Sequence, residues 1–113
     1  MNTISDTDAE KALDFLRDTA VMTAQARADR IYCEEYRKSL KAQIMKEQIS
    51  NEKEPSAAIQ ERNAYADPRY IAHLNGLKAA VFNEQKALFL REAAGAKLEA
   101  WRTMSANHRG MGK

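Results

Sequence analysis

DAEKALDFLRDTAVMTAQARADRIYCEEYRKSLKAQIMKEQIS, residues 8 to 50, contains neither proline nor glycine. Nothing in it is a strong helix breaker, and one helix of that length would run about 65 Å at 1.5 Å per residue. A rod so long needs a second rod beside it, because tertiary packing of an apolar face supplies most helix stability. Its start is marked by Thr7-Asp8-Ala9-Glu10, a hydroxyl followed three residues later by a carboxylate, which is the pattern of a capping box. Its apolar stripe advances in threes and fours through Leu13, Leu16, Ala20, Ala24, Ala28 and Ile31, then Tyr36, Leu40, Ile44 and Gln48, with Tyr32 alongside. That spacing keeps one face of the helix toward a partner.

Working outward, residues 51–67 lose the pattern and carry Pro55, as a connector does, with a short helix expected from Ser56 to Asn63. Asp67-Pro68 then marks a second start, an N-cap followed by a proline at the first helical position, where its missing N–H costs nothing. The second rod is expected over 68–105, and 106–113 as a flexible tail with two glycines. Gly76 and Gly95 lie inside that rod at a cost of about 1 kcal/mol each relative to alanine, and close approach of a neighbouring helix is the expected reason for them.

The fold class that follows is all-α: one domain, 1–113, built as a long antiparallel helical hairpin with a short connecting helix, completing a bundle by self-association. A register in which paired residue numbers sum to about 118 sets Ile44 near Leu74, Tyr36 near Val81 and Leu13 to Leu16 near Trp101. Charge supports it: residues 6–18 hold five acids and two bases, and 97–113 hold four bases and one acid. Each set also opposes the partial charge of its own helix end. The second rod, however, carries apolar groups on more than one face. Ile71, Leu74, Val81 and Leu88 are assigned inward, which leaves Phe82, Phe89, Leu90 and Trp101 as a candidate protein interface. Two rods cannot cover both faces, so a homodimer or a foreign protein partner is expected.

Chemistry is harder to find. Twenty alanines, four glycines and two prolines suit helices, and 18 basic against 16 acidic residues implies no polyanionic partner from net charge alone. Cys33 is the sole cysteine, which rules out an internal disulfide and a cysteine-built zinc site and fits a reducing compartment. The two histidines, His73 and His108, stand apart and outside any acid-x-x-His pattern, so no metal or cofactor is expected. Glu34 and Glu35 are neighbours that a helix points about 100° apart, unlike a catalytic carboxylate pair. Neither a nucleophile elbow nor a phosphate loop occurs, and no enzymatic activity is expected. No apolar run approaches the ~20 residues of a membrane span, and Met1 to Asp8 is polar and acidic, unlike a signal peptide. A candidate nucleic-acid contact gathers Arg37, Lys38, Lys41 and Lys46 with Arg69 and Lys78, beside Tyr32, Tyr36, Tyr65 and Tyr70 as stacking surfaces. Glu34, Glu35 and Glu47 interrupt its charge.

The segments Glu10 to Asp18 (EKALDFLRD), Lys38 to Gln43 (KSLKAQ), Tyr65 to Tyr70 (YADPRY) and Lys97 to Arg102 (KLEAWR) resemble those of small all-helical proteins encoded by tailed bacteriophages and prophages. The resemblance spans nearly the whole chain and carries no site residues with it. It implies a bacterial cytoplasmic setting and a non-catalytic protein that contacts a phage or host DNA-processing or defence component. A sequence-indifferent DNA-binding accessory and a scaffold-like virion part are the alternatives.

Overall fold

Four helices and no strand make up residues 4–111, the part of the chain that the computed structural model describes: α1 (Asp6–Asp18), α2 (Ala20–Glu47), α3 (Ala57–Ala66) and α4 (Pro68–Met111). The fold is an all-α helical hairpin. It divides into two compact units, where the sequence suggests one domain: the first takes in residues up to Gln25 and from Gln85 onward, the second Ala26–Glu84.

The local signals explain most of the helix ends. α1 begins two residues before the expected Thr7 box, because Ser5 and Asp8 form the reciprocal cap themselves. The Ser5 hydroxyl accepts from the Asp8 N–H at 3.1 Å, and an Asp8 carboxylate oxygen accepts from the Ser5 N–H at 3.3 Å. Those bonds hold the Asp8 carboxyl below its usual range, with the Ser5 backbone N–H the largest cause. Ser56 caps α3 by accepting from the Ile59 N–H, so the short helix runs to Ala66, three residues beyond Asn63. Asp67 caps α4, its carboxylate accepting the Arg69 N–H at 2.8 Å. α4 continues through the segment expected as a loose tail and ends at Met111.

The first rod is not continuous. Thr19 interrupts it with φ −99° and ψ 1°. Its hydroxyl bonds back to the Phe15 carbonyl at 2.6 Å, a competing bond of the kind that bends helices. Arg91 of α4 donates to the Leu16 carbonyl at 2.7 Å, the acceptor Ala20 would use in an unbroken helix, and to the Thr19 hydroxyl at 2.9 Å. The sequence offers no proline or glycine here because the break is made by a side chain 72 residues away.

Within each unit the arms run antiparallel, but the expected register and rotation are both corrected. In the first unit Asp6 meets Trp101 and Leu16 meets Arg91, pairs whose numbers sum to 107. In the second unit Tyr36 meets His73 and Arg30 meets Glu84, with sums of 109 and 114, all below 118. The cause is α3. It folds back along the end of α2, through Gln48 to the Gln60 carbonyl at 2.9 Å and Lys41 to the Tyr65 hydroxyl at 2.8 Å. That brings Tyr70, in the first turn of α4, against Leu40, Ile44 and Ala64. The covered or half-covered positions include Leu16, Thr19, Thr23, then Ala26, Arg30, Cys33, Arg37, Leu40 and Ile44 on one arm. On α4 they include Tyr70, His73, Leu77, Ala80 and Glu84, then Ala87, Arg91, Ala94, Leu98 and Trp101. Both series alternate threes and fours, the heptad spacing of a coiled-coil seam. Leu13, Ile31, Tyr32, Tyr36, Leu74, Val81 and Leu88, expected inside, are exposed, and so are Ala20, Ala24 and Ala28.

Gly76 and Gly95 do not mark a close approach: a Cβ at either would meet nothing within 4 Å. Gly76→Ala is therefore expected to raise stability by about 0.5–1 kcal/mol through helix propensity alone. Ile44, only 3% exposed, behaves oppositely, and Ile44→Ala is expected to cost about 2–4 kcal/mol. Urea unfolding followed by circular dichroism at fixed protein concentration measures both.

Candidate functional site

The inner seam is unusually polar, and its polar groups are paired within each unit. In the second unit Glu84 is 5% exposed. Arg30 grips it with two bonds, Nε to Oε2 at 2.6 Å and Nη2 to Oε1 at 3.3 Å, while Nη1 reaches Glu34 at 3.0 Å. The fork geometry of guanidinium on carboxylate is what lets a charge sit there. The hydrogen bond to Arg30 lowers the Glu84 pKa and raises that of Arg30, in each case as the largest cause. A turn away, His73 Nε2 lies 2.7 Å from the Cys33 carbonyl. A carbonyl only accepts, so this nitrogen carries the proton. The ring also packs against Tyr36 with centroids 5.2 Å apart.

Filling the seam with small and polar groups turns large apolar side chains outward. In the second unit Ile31, Tyr32, Ile71, Leu74, Val81 and Phe82 are exposed; in the first, Leu13, Val21, Met22, Leu88, Phe89 and Leu90 are. Phe82 and Phe89, one heptad apart on α4, are each 64% exposed. Leu90 also lines a shallow groove of about 310 Å³ with Phe15, Ala12, Ala93 and Ala94, between Lys11 and Lys97. Trp101 leaves the candidate interface: it is half-buried, and its indole N–H donates to Asp6 at 2.8 Å. Phe82 is thus exposed in the second unit and Phe89 and Leu90 in the first, while the fourth expected member belongs to the seam.

The basic cluster is not assembled as the sequence suggests. Arg69 is held by Glu47 at 2.6 Å and Asp67 at 3.1 Å, which raises its pKa, with the hydrogen bond to Glu47 first. The same contacts lower the pKa of Glu47 and of Asp67, in each case chiefly through hydrogen bonding to Arg69. Lys41 bonds to Tyr65, lies 4.6 Å from the centre of that ring and pairs with Glu61 at 3.4 Å. Lys38 pairs with Glu35. Arg37 faces the seam, whereas Lys46 and Lys78 are exposed. The tyrosines are also engaged: Tyr32 stacks on Tyr36, and Tyr65 meets Tyr70 edge to face. Among the described residues no group of three histidine, cysteine, aspartate or glutamate side chains could hold a metal ion. Among the described residues no helix is long and apolar enough to cross a membrane.

Sequence reasoning missed Arg30, Glu84 and Arg91 as organising residues. The signal that could have found them is the strict three-four alternation, which runs through those charged positions and through Thr19, Thr23 and Arg37. No protein-family model matches the chain, and no curated protein or solved structure matches it.

The Arg30 grip contributes to the acid stability. Glu84's folded pKa lies below the usual 4.5, so its contribution is complete above that value and is lost as pH falls through the folded pKa. The melting temperature is expected to stay nearly level from about pH 7 to 5 and to fall below about pH 4.5. Glu84→Gln should melt earlier at neutral pH and show a smaller acid-induced drop; circular dichroism melts across that range report both.

Proposed function

We propose that this chain is a non-catalytic helical protein that works by contact with another protein, using Phe82 and Phe89 of α4, flanked by Leu90, as its anchors. One observation carries this reading: Phe82 in the second unit and Phe89 in the first are each mostly exposed on a helix whose inner face is already occupied. Aromatic side chains are favoured anchors because they bury a large area at little cost in side-chain entropy. An exposed aromatic ring on a helix suits a partner that offers a complementary apolar groove. The likeness to phage-encoded helical proteins suggests the partner class, a phage or host component of DNA processing or defence in the bacterial cytoplasm. DNA contact is the weaker reading, since Lys38, Lys41 and Arg69 already hold carboxylates.

The test compares the tagged chain with a Phe82→Ser, Phe89→Ser variant as bait in lysate from phage-infected bacteria. Both substitutions lie at exposed positions, so helicity by circular dichroism should be unchanged. A specific protein is expected to be retained by the native chain and depleted at least about tenfold with the variant, as loss of two aromatic anchors implies. Retention of the same proteins in the same amounts by both baits would defeat the reading.

A further inference from the structure

We infer that the groove between α1 and α4 in the first unit seats an acidic amphipathic helix of a partner protein, its carboxylates against Lys11 and Lys97 and its apolar side chains on Phe15 and Leu90. The inference rests on the contact reading above, with which it shares Leu90, and deepens it by naming the chemistry of the partner. All the residues it uses lie in one unit. The groove has a local cause. Ala12 and Ala94, 6% and 9% exposed, hold inner positions on the two arms, and each fills its place with no more than a methyl group. What remains is a trough of about 310 Å³, lined further by half-buried Phe15 and by Leu90, which is 48% exposed. A trough along two antiparallel helices accepts a third, whose side chains at three- and four-residue spacing form a ridge that fits it. Strand addition has no edge to use among the described residues, which form helices alone.

Charge selects the occupant. The two charged residues that line the groove are both lysines. On α4, Lys86, Leu90, Ala93 and Lys97 step by four, three and four and are all exposed, so base, apolar pair and base follow one another along a single face. Glu92 and Glu99 fall at least about 120° round the helix from both of those lysines, and Glu99 pairs with Arg102 at 3.0 Å. The acids of this stretch of α4 therefore lie away from the groove. Asp8 feels both Lys97 and Lys11, but it is committed to the Ser5 cap, whose backbone N–H is the largest cause of its lowered pKa, with the two lysines adding less. A helix whose apolar stripe is bordered by carboxylates matches this order, and one bordered by bases is repelled by it.

The probe is a fluorescein-labelled, alanine-based helical peptide with a leucine stripe bordered on both sides by glutamates; its control carries lysines in their place. Fluorescence anisotropy with the full chain is expected to show the glutamate peptide bound at least about tenfold more tightly than the control, and less tightly as salt is added. Lys11→Glu with Lys97→Glu should reverse that preference at unchanged helicity, and Ala93→Trp, which fills the trough, should weaken binding of the glutamate peptide. Equal binding of the two peptides, binding of neither, or a preference that the double reversal leaves unchanged would overturn the inference. So would tighter binding to phosphatidylserine vesicles than to the glutamate peptide, or loss of peptide binding through self-association as the chain is concentrated. Phe82→Ser lies in the other unit and should leave peptide binding unchanged. A lysate protein lost on Phe82→Ser, Phe89→Ser substitution, with no peptide bound, would sink the groove and leave the anchors standing. Lysine-dependent peptide binding with an unaltered lysate result would do the reverse.

Discussion

A carboxylate taken almost out of water must find a cation, and Glu84 finds Arg30. The pairing decides which side of each helix faces inward in the second unit. Turning α4 by one residue, about 100°, would bring Val81 inward and leave Glu84 without its guanidinium. The burial of Val81 would recover only part of that loss, because an uncompensated buried charge is among the costliest defects a fold can carry. The orientation of the apolar side chains is therefore a consequence of where the charges must go. Large hydrophobic groups end on the outside because charged and small residues hold the positions between the helices.

Much of the hairpin was legible in the sequence because its signals are local. Asp67-Pro68 marks the start of α4, and the polar run around Pro55 marks the connector, through backbone chemistry that needs no partner. Register and rotation were not legible, for two separate reasons. The rods carry apolar residues on several faces, so a stripe through Leu13, Ile31 and Tyr36 looks as inward as the true one through Leu16, Arg30 and Ile44. The register depends on how far α3 folds back, and the helical propensity of 56–63 says nothing about where its side chains land on α2. The break at Thr19 was hidden for a related reason, since the group that takes the Leu16 carbonyl comes from Arg91.

The candidate sites divide along the same line. Phe82, Phe89 and Leu90 could be read as outward because apolar excess on one helix is a property of that helix. Trp101 could not, because its place in the seam depends on Asp6, a residue at the other end of the chain. For the basic cluster the acids were out of view: Glu47 and Glu61 are distant in sequence from Arg69 and Lys41 but adjacent to them in the fold. Counting charges along one helix cannot show which of them are already paired across to another.

A polar seam also constrains how the helices of the second unit can slide. Slipping α4 by one heptad in one direction would take Glu84 out of reach of Arg30. The opposite slip would offer Arg37, but it would draw Tyr70 away from Leu40, Ile44 and Ala64, a cluster of buried apolar residues in that unit. An all-leucine seam would tolerate either slip, since every layer would resemble the next. A seam of Arg30, Cys33, His73 and Glu84 does not, because its hydrogen bonds are made at particular heights. The cost is a weak interior: among the described residues no large side chain is wholly buried.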